Sequence, residues 1–97
     1  MYVGTLSFDL LLGDIHSLKE KRSVVRPIVA ELQRKYAVSA AEVDHVDLHR
    51  RACIGLALVS GDMGHLTDVL DRCERLVAGR PEVELLSVRR RLHGDDD

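Results

Sequence analysis

The succession of hydrophobic patterns along the chain constrains its fold more than any single motif does. Residues 2–12 alternate apolar and polar side chains with the period of two that marks a strand. Two later segments place apolar residues three and four apart, as amphipathic helices do. The predicted elements are a strand at residues 2–12, a helix from Ser17 to about Tyr36, strands at residues 38–46 and 52–60, a helix that Asp62 caps and that ends before Gly79, and a strand at residues 82–92.

This βαββαβ order within 97 residues predicts one α+β domain of ferredoxin-like form. We expect a four-stranded antiparallel sheet with both helices on one face. Residues 1–92 form this single domain, and residues 93–97 are predicted to be a disordered acidic tail. The start of the first helix is specified locally, because Ser17 and Glu20 have the spacing of a capping box.

The composition excludes several classes of protein. Apolar residues make up 45% of the chain and charged residues 31%, which is typical of a soluble globular domain. No apolar run approaches the roughly 18 residues that a membrane span needs, and the first residues lack the basic segment of a signal peptide. Cys53 and Cys73 lack the spacing of metal ligands. We therefore expect a cytoplasmic protein with two buried, reduced thiols and no cofactor.

Three short segments carry a resemblance to a known family. They are the run from Ser17 to Ser23, the run from Val38 to Val43 with Asp47 shortly after it, and the run from Val59 to Asp62. Through these segments the chain resembles the YlxP family, small bacterial domains of unknown function, over about residues 1–92. The resemblance implies a ferredoxin-like fold. It also implies a link to translation, since family members are often encoded beside the genes for ribosome-binding factor A and translation initiation factors. It supplies no catalytic residues, and His49 stands where the family often has an aromatic residue.

Clusters of basic residues predict contacts with the phosphates of RNA. The candidate nucleic-acid-binding residues are Lys19, Lys21, Arg22, Arg26, Arg50 and Arg51. We expect the first four to be exposed on the early turns of the first helix, where the helix dipole favours anions. The other two end the hairpin between the second and third strands, and residues 89–91 add three arginines on the last strand. The alternative is an ordinary solvated surface, because Glu20 and Glu31 lie among the helical cations.

Other chemistries are less favoured by the sequence. The positions that face away from the helices on the two central strands are Thr5, Ser7, Asp9, Cys53, Gly55 and Ala57, and none is aromatic, so base stacking of the RNA-recognition-motif type is not expected. An extended strand would place the side chains of His45, Asp47 and His49 on one face. Two histidines and a carboxylate on one face are a possible set of metal ligands. The chain must turn there, so we predict a polar hairpin tip and no metal site. Neither cysteine has an activating neighbour, and we predict no catalytic residue.

The sheet face away from the helices suggests a different kind of function. Its central residues are small and uncharged apart from Asp9, which is typical of an interaction surface. The predicted homodimer interface consists of Thr5, Ser7, Cys53, Gly55 and Ala57. From the sequence we predict a non-catalytic accessory module that contacts ribosomal RNA or a ribosome-assembly partner. The alternative is a homodimeric ligand-sensing or structural domain that uses this sheet face.

Overall fold

The computed structural model describes residues 1–95 and has the predicted order of elements. They are β1 (Tyr2–Leu12), α1 (Leu18–Tyr36), β2 (Ser39–Asp44), β3 (Arg51–Ser60), α2 (Met63–Ala78) and β4 (Val83–His93). The four strands form one antiparallel sheet in the order β2-β3-β1-β4. The ferredoxin-like α+β fold predicted from the sequence is confirmed.

Both helices pack against one face of the sheet. Every second residue of β1 and β3 points into this layer, as the period of two requires. The buried side chains are Leu6, Phe8, Leu10 and Leu12 of β1, Ala52, Ile54 and Leu56 of β3, and Val25, Ile28, Leu32, Leu66, Val69, Leu70, Cys73 and Val77 of the helices. Burying each large aliphatic side chain contributes about 1.5–3 kcal/mol, so this layer provides most of the stability of the fold.

Local capping fixes where each helix begins. The hydroxyl of Ser17 accepts a hydrogen bond from the backbone N–H of Glu20 at 3.1 Å. The carboxylate of Asp62 accepts one from the backbone N–H of Gly64 at 2.9 Å. Each bond satisfies a backbone donor that the first helical turn leaves free, so the two predicted caps are confirmed.

Two bulges in the outer strands change which residues share a face. In β2, Glu42 pairs with Ile54 and Asp44 with Cys53, which leaves Val43 as the extra residue. A second irregularity makes Leu86 the extra residue of β4. After a bulge the alternation of side chains is shifted by one residue. The strand predicted at residues 38–46 also ends earlier than expected, since His45 has a φ of 60° and leaves the extended conformation.

The last strand runs one residue past its predicted end, to His93. Beyond it, the carboxylate of Asp95 lies 2.7 Å from the amino group of Met1. The last two residues of the predicted acidic tail, 96 and 97, lie outside the described residues.

Candidate functional site

Three of the predicted nucleic-acid-binding residues form an exposed patch on α1. Lys19, Arg22 and Arg26 are spaced three and four residues apart, so they share one side of the helix, and all three are exposed. Together with Ser23 and Pro27 they line a shallow depression that contains no acidic residue. Among the described residues, none of the three cations has an ion-pair partner. We call these three residues the helix patch.

Lys21 does not belong to the helix patch, and the expectation that it is exposed was wrong. Its side chain is 1% exposed. Its ammonium group lies 2.7 Å from a carboxylate oxygen of Glu42 and donates a hydrogen bond to the backbone carbonyl of His45 at 2.5 Å. The reason is visible in the sequence, because Lys21 falls between Leu18 and Val25 on the apolar side of α1. It therefore ties the first helix to the end of β2.

The two hairpin arginines are engaged elsewhere. The Nε atom of Arg50 donates a hydrogen bond to the carbonyl of Gly13 at 3.0 Å, so its head group is held at the end of β1. Arg51 begins β3, and its guanidinium lies 2.6 Å from the carboxylate of Asp9. The sequence predicts Asp9 as the only charge that the two central strands place on this sheet face, whereas the structure pairs it with Arg51. The predicted set of six basic residues is thus divided between four places.

The sheet surface that the helices leave uncovered will be called the open face. It comprises Val3, Thr5, Ser7 and Asp9 of β1, Arg51, Cys53, Gly55, Ala57 and Val59 of β3, Ser39, Ala41 and Val43 of β2, and Ser87, Arg89 and Arg91 of β4. The structure places all five predicted interface residues here. Thr5 lies opposite Ala57 and Ser7 opposite Gly55. The exposed side chains of Val43 and Val59 add apolar surface to this face.

The fourth strand adds two cations to the open face, and this position was not predicted from the sequence. Arg91 lies opposite Thr5 and Arg89 opposite Ser7, so both arginines border the open face. Arg90 points to the other side of the sheet and lies 2.9 Å from the carboxylate of Asp71 on α2. Among the described residues, Arg89 and Arg91 have no ion-pair partner. The bulge at residue 86 determines which of these arginines face the open side of the sheet, and the period of two alone does not predict it.

A polar cluster occupies the end of the open face near His45. The hydrogen bond from Arg51 holds the pKa of Asp9 below its ordinary value, against the opposing effect of partial burial. The Nε2 atom of His45 lies 3.9 Å from the other oxygen of the same carboxylate. Next to them, Ser7 Oγ and Cys53 Sγ are 3.3 Å apart. The cluster combines donors, an ionised carboxylate and a thiol at the rim of a cavity that Arg89 also lines.

The two thiols lie in different environments. Both cysteines are free, but Cys53 is half-buried on the open face rather than fully buried as expected. Cys73 lies in the core, and burial raises its pKa to about 11.

Two further expectations concern metals and membranes. In residues 1–95, no group of three or more histidine, cysteine or acidic side chains has the arrangement of a metal site, so His45, Asp47 and His49 are not gathered as ligands. Within the same residues, neither helix has the combination of length and hydropathy needed to cross a membrane.

Sequence comparison assigns the chain to a family. The profile of a family described as "Protein of unknown function (DUF503)" matches residues 3–90. The chain belongs to this family. The uncharacterized protein YlxP of Bacillus subtilis (strain 168) is 32% identical over 82 residues, which cover 84% of this chain and 89% of the relative. The resemblance to YlxP proteins that the sequence motifs indicated is confirmed.

Two solved structures share the fold at low sequence identity. The de novo designed protein Foldit4 superposes with a TM-score of 0.57 and 11% identity, covering 98% of this chain and 99% of the design. SnoaB, a cofactor-independent oxygenase from Streptomyces nogalater, was solved as a mutant and superposes with a TM-score of 0.50 and 13% identity over 98% and 94% of the two chains. At these identities the likeness concerns the fold alone.

Proposed function

We propose that this protein is a non-catalytic cytoplasmic accessory module that binds the phosphate backbone of RNA through the helix patch. The observation that supports this proposal is the state of its three cations. Lys19, Arg22 and Arg26 are exposed, lie on one side of α1 and have no acidic partner among the described residues. Phosphate contacts of this kind supply affinity that does not depend on sequence.

The other basic residues show why this patch stands out. Among the described residues, six lysine and arginine side chains are within ion-pair distance of acidic side chains, namely Lys21, Lys35, Arg51, Arg72, Arg80 and Arg90. A paired cation must give up its partner before it binds a phosphate, whereas a free, hydrated cation needs only to release part of its water. The helix patch is therefore the surface of α1 that is best prepared for a polyanion.

The expected partner is RNA of the translation machinery. The link to translation that the YlxP resemblance implies supports this choice, and ribosomal RNA offers an exposed phosphate backbone. The open face lacks aromatic side chains on β1 and β3, so we do not propose stacking of unpaired bases there. The RNA is instead held electrostatically from one side of α1.

Binding to a fragment of small-subunit ribosomal RNA, followed by fluorescence anisotropy over a range of salt concentrations, tests this proposal. We expect the triple variant Lys19→Gln, Arg22→Gln, Arg26→Gln to bind more weakly and to lower the salt slope by about 2, the value for three lost contacts to a single strand. Lys21 stays unchanged in this variant because it supports the fold.

The control of equal net charge removes three cations elsewhere, as Arg34→Gln, Arg72→Gln and Arg75→Gln, of which Arg72 is paired with Asp68. These arginines are exposed on the helices and do not belong to the helix patch. Both triple variants have the same net charge, so a specific role of the patch predicts a loss in the first and near wild-type binding in the second. Equal binding by the two variants would refute the proposal.

A second candidate function uses the open face for self-association. Small and uncharged residues at its centre, with the exposed Val43 and Val59, support a homodimer through Thr5, Ser7, Cys53, Gly55 and Ala57. Sedimentation at micromolar concentration tests it. A dimer that Ala57→Arg dissociates supports this interface, and a mass of one chain for the wild type rejects it.

A further inference from the structure

A groove crosses the open face between the bulge of β2 and the arginines of β4. Its volume is about 390 Å³, which is in the range of small-molecule sites. Its lining includes Thr5, Ser7, Val43, Ala57, Arg89 and Arg91. Val43 lies over Gly55, where an added Cβ would be 3.1 Å from its side chain. Val43 therefore forms one wall, and the two arginines form the other.

The charge of this groove has one sign. Arg89 and Arg91 line it, neither has an ion-pair partner among the described residues, and no acidic residue is part of the lining. The carboxylate of Asp9, which also lies on the open face, is 2.6 Å from Arg51. The two guanidinium groups project from alternate residues of one strand. They are therefore neighbours on the same face, with the hydroxyls of Thr5 and Ser7 opposite them in register.

We propose that this groove binds a small organic phosphate, such as a nucleoside monophosphate, an occupant that competes with the self-association considered above for the open face. The guanidinium groups of Arg89 and Arg91 take the phosphate, because their planar arrays of donors match its oxygens. The hydroxyls of Thr5 and Ser7 complete the donor set. The flat, apolar part of the ligand lies on Ala57 against Val43, where small side chains leave room for a ring.

The two arginines favour this occupant over a second copy of the chain. A dimer that packs one open face on another covers the groove, and the groove offers no carboxylate to pair with the buried guanidinium groups. Burying an unpaired charge is strongly unfavourable. A phosphate supplies the negative charge that pairs with Arg89 and Arg91.

The experiment is a titration of the ¹⁵N-labelled protein with adenosine monophosphate, followed by amide chemical shifts. We expect saturable shifts at residues of the groove and weaker binding of adenosine or inorganic phosphate alone. Arg89→Gln with Arg91→Gln should weaken binding by about tenfold or more, since charge-assisted hydrogen bonds are lost. Ala57→Leu, which fills the groove and leaves its charge unchanged, should weaken binding as well.

Arg34→Gln with Arg75→Gln is the matched control, because it removes two exposed arginines that have no ion-pair partner within residues 1–95. It should bind the nucleotide like the wild type. The proposal is overturned if no saturable shift occurs at millimolar nucleotide, if the arginine pair of β4 can be removed without loss, or if sedimentation shows a dimer that closes the groove.

The helix-patch variant separates this proposal from the binding of RNA. If Lys19→Gln, Arg22→Gln, Arg26→Gln abolishes RNA binding and keeps the nucleotide, both sites stand and are independent. If this variant still binds RNA, the proposal for the helix patch fails. The titration with the nucleotide then still tests the groove proposal separately. If the shifts induced by the nucleotide map to α1 instead of β4, the groove proposal fails.

Discussion

The ammonium group of Lys21 donates a hydrogen bond to the backbone carbonyl of His45, and this contact joins α1 to the turn that ends β2. The same ammonium group lies 2.7 Å from the carboxylate of Glu42. A lysine that is 1% exposed thus has two oxygen partners, as a buried charge requires. His45 has a left-handed φ of 60°, and the hydrogen bond to its carbonyl stabilises this conformation.

The first prediction is that Lys21 is a structural residue. Lys21→Met keeps most of the volume of the side chain but leaves the carboxylate of Glu42 without its cationic partner and the carbonyl of His45 without its donor. We expect the free energy of unfolding to fall by about 2–4 kcal/mol. This loss is smaller than the loss for a fully buried ion pair, because the side chain of Glu42 is partly exposed. Urea denaturation measures the change, and Lys19→Met should shift stability by no more than about 0.5 kcal/mol. Equal midpoints for the two variants would contradict the structural role.

The second prediction concerns acid stability and Asp9. The folded pKa of this carboxyl lies below its ordinary value because of the hydrogen bond from Arg51, so the folded protein binds the proton less tightly than the unfolded chain does. Asp9 therefore contributes stability that is fully present above the ordinary value of 3.8 and is lost as the pH falls through the folded pKa.

Urea denaturation of the wild type and of Asp9→Asn, measured from about pH 2 to pH 7, checks this dependence. We expect the stability difference between the two proteins to be constant above about pH 5 and to change progressively as acid protonates Asp9. Arg51→Gln removes the cause of the shift. In that background the pKa of Asp9 is no longer lowered by Arg51 while the opposing effect of burial remains, so the loss of stability in acid that Asp9 causes should disappear. A difference that stays constant in the wild-type background would count against the prediction.

The third prediction explains a gap in the apolar alternation of β1. Gly4 occupies a position that faces the helices, and a Cβ there would lie 2.9 Å from Leu70 Cδ1 and 3.0 Å from Leu66 Cδ1. Gly4→Ala forces these side chains of α2 to move, which we expect to cost about 1–3 kcal/mol. Thermal or urea unfolding measures this loss. Gly61→Ala is the control, because nothing lies within 4 Å of its added Cβ. If the two alanine variants are equally stable, the close approach of α2 to β1 does not limit this position.

The fold could be predicted from the sequence because each element carries its own periodic signal. Residues 2–12 alternate as β1 does, and Ser17 and Asp62 cap the helices by local hydrogen bonds. These signals depend on residues close in sequence, so they can be recognised without knowledge of the tertiary structure. The βαββαβ order then leaves one economical way to bury the apolar faces.

The site was harder to predict because it depends on contacts between distant segments. Lys21 fits the apolar stripe of α1, but its burial requires Glu42 and the carbonyl of His45, more than twenty residues away. Arg89 and Arg91 reach the open face through the bulge at residue 86, which shifts the alternation of β4. No propensity of the single strand specifies such a bulge, and a shift of one residue exchanges the two faces.

The last prediction uses the different environments of the two thiols. The side chain of Cys73 is fully buried, and its pKa is raised to about 11, so it has almost no thiolate at neutral pH and no access to reagents. Cys53 lies half-buried on the open face, with its sulfur 3.3 Å from the hydroxyl of Ser7. We expect iodoacetamide to modify only Cys53 in the native protein, as read by peptide mass spectrometry, and to reach Cys73 only as fast as the protein unfolds. Cys53→Ser should then show no native labelling, while urea restores labelling at Cys73. Native modification of Cys73 at a rate comparable to that of Cys53 would mean that α2 opens from the sheet far more readily than its buried contacts imply.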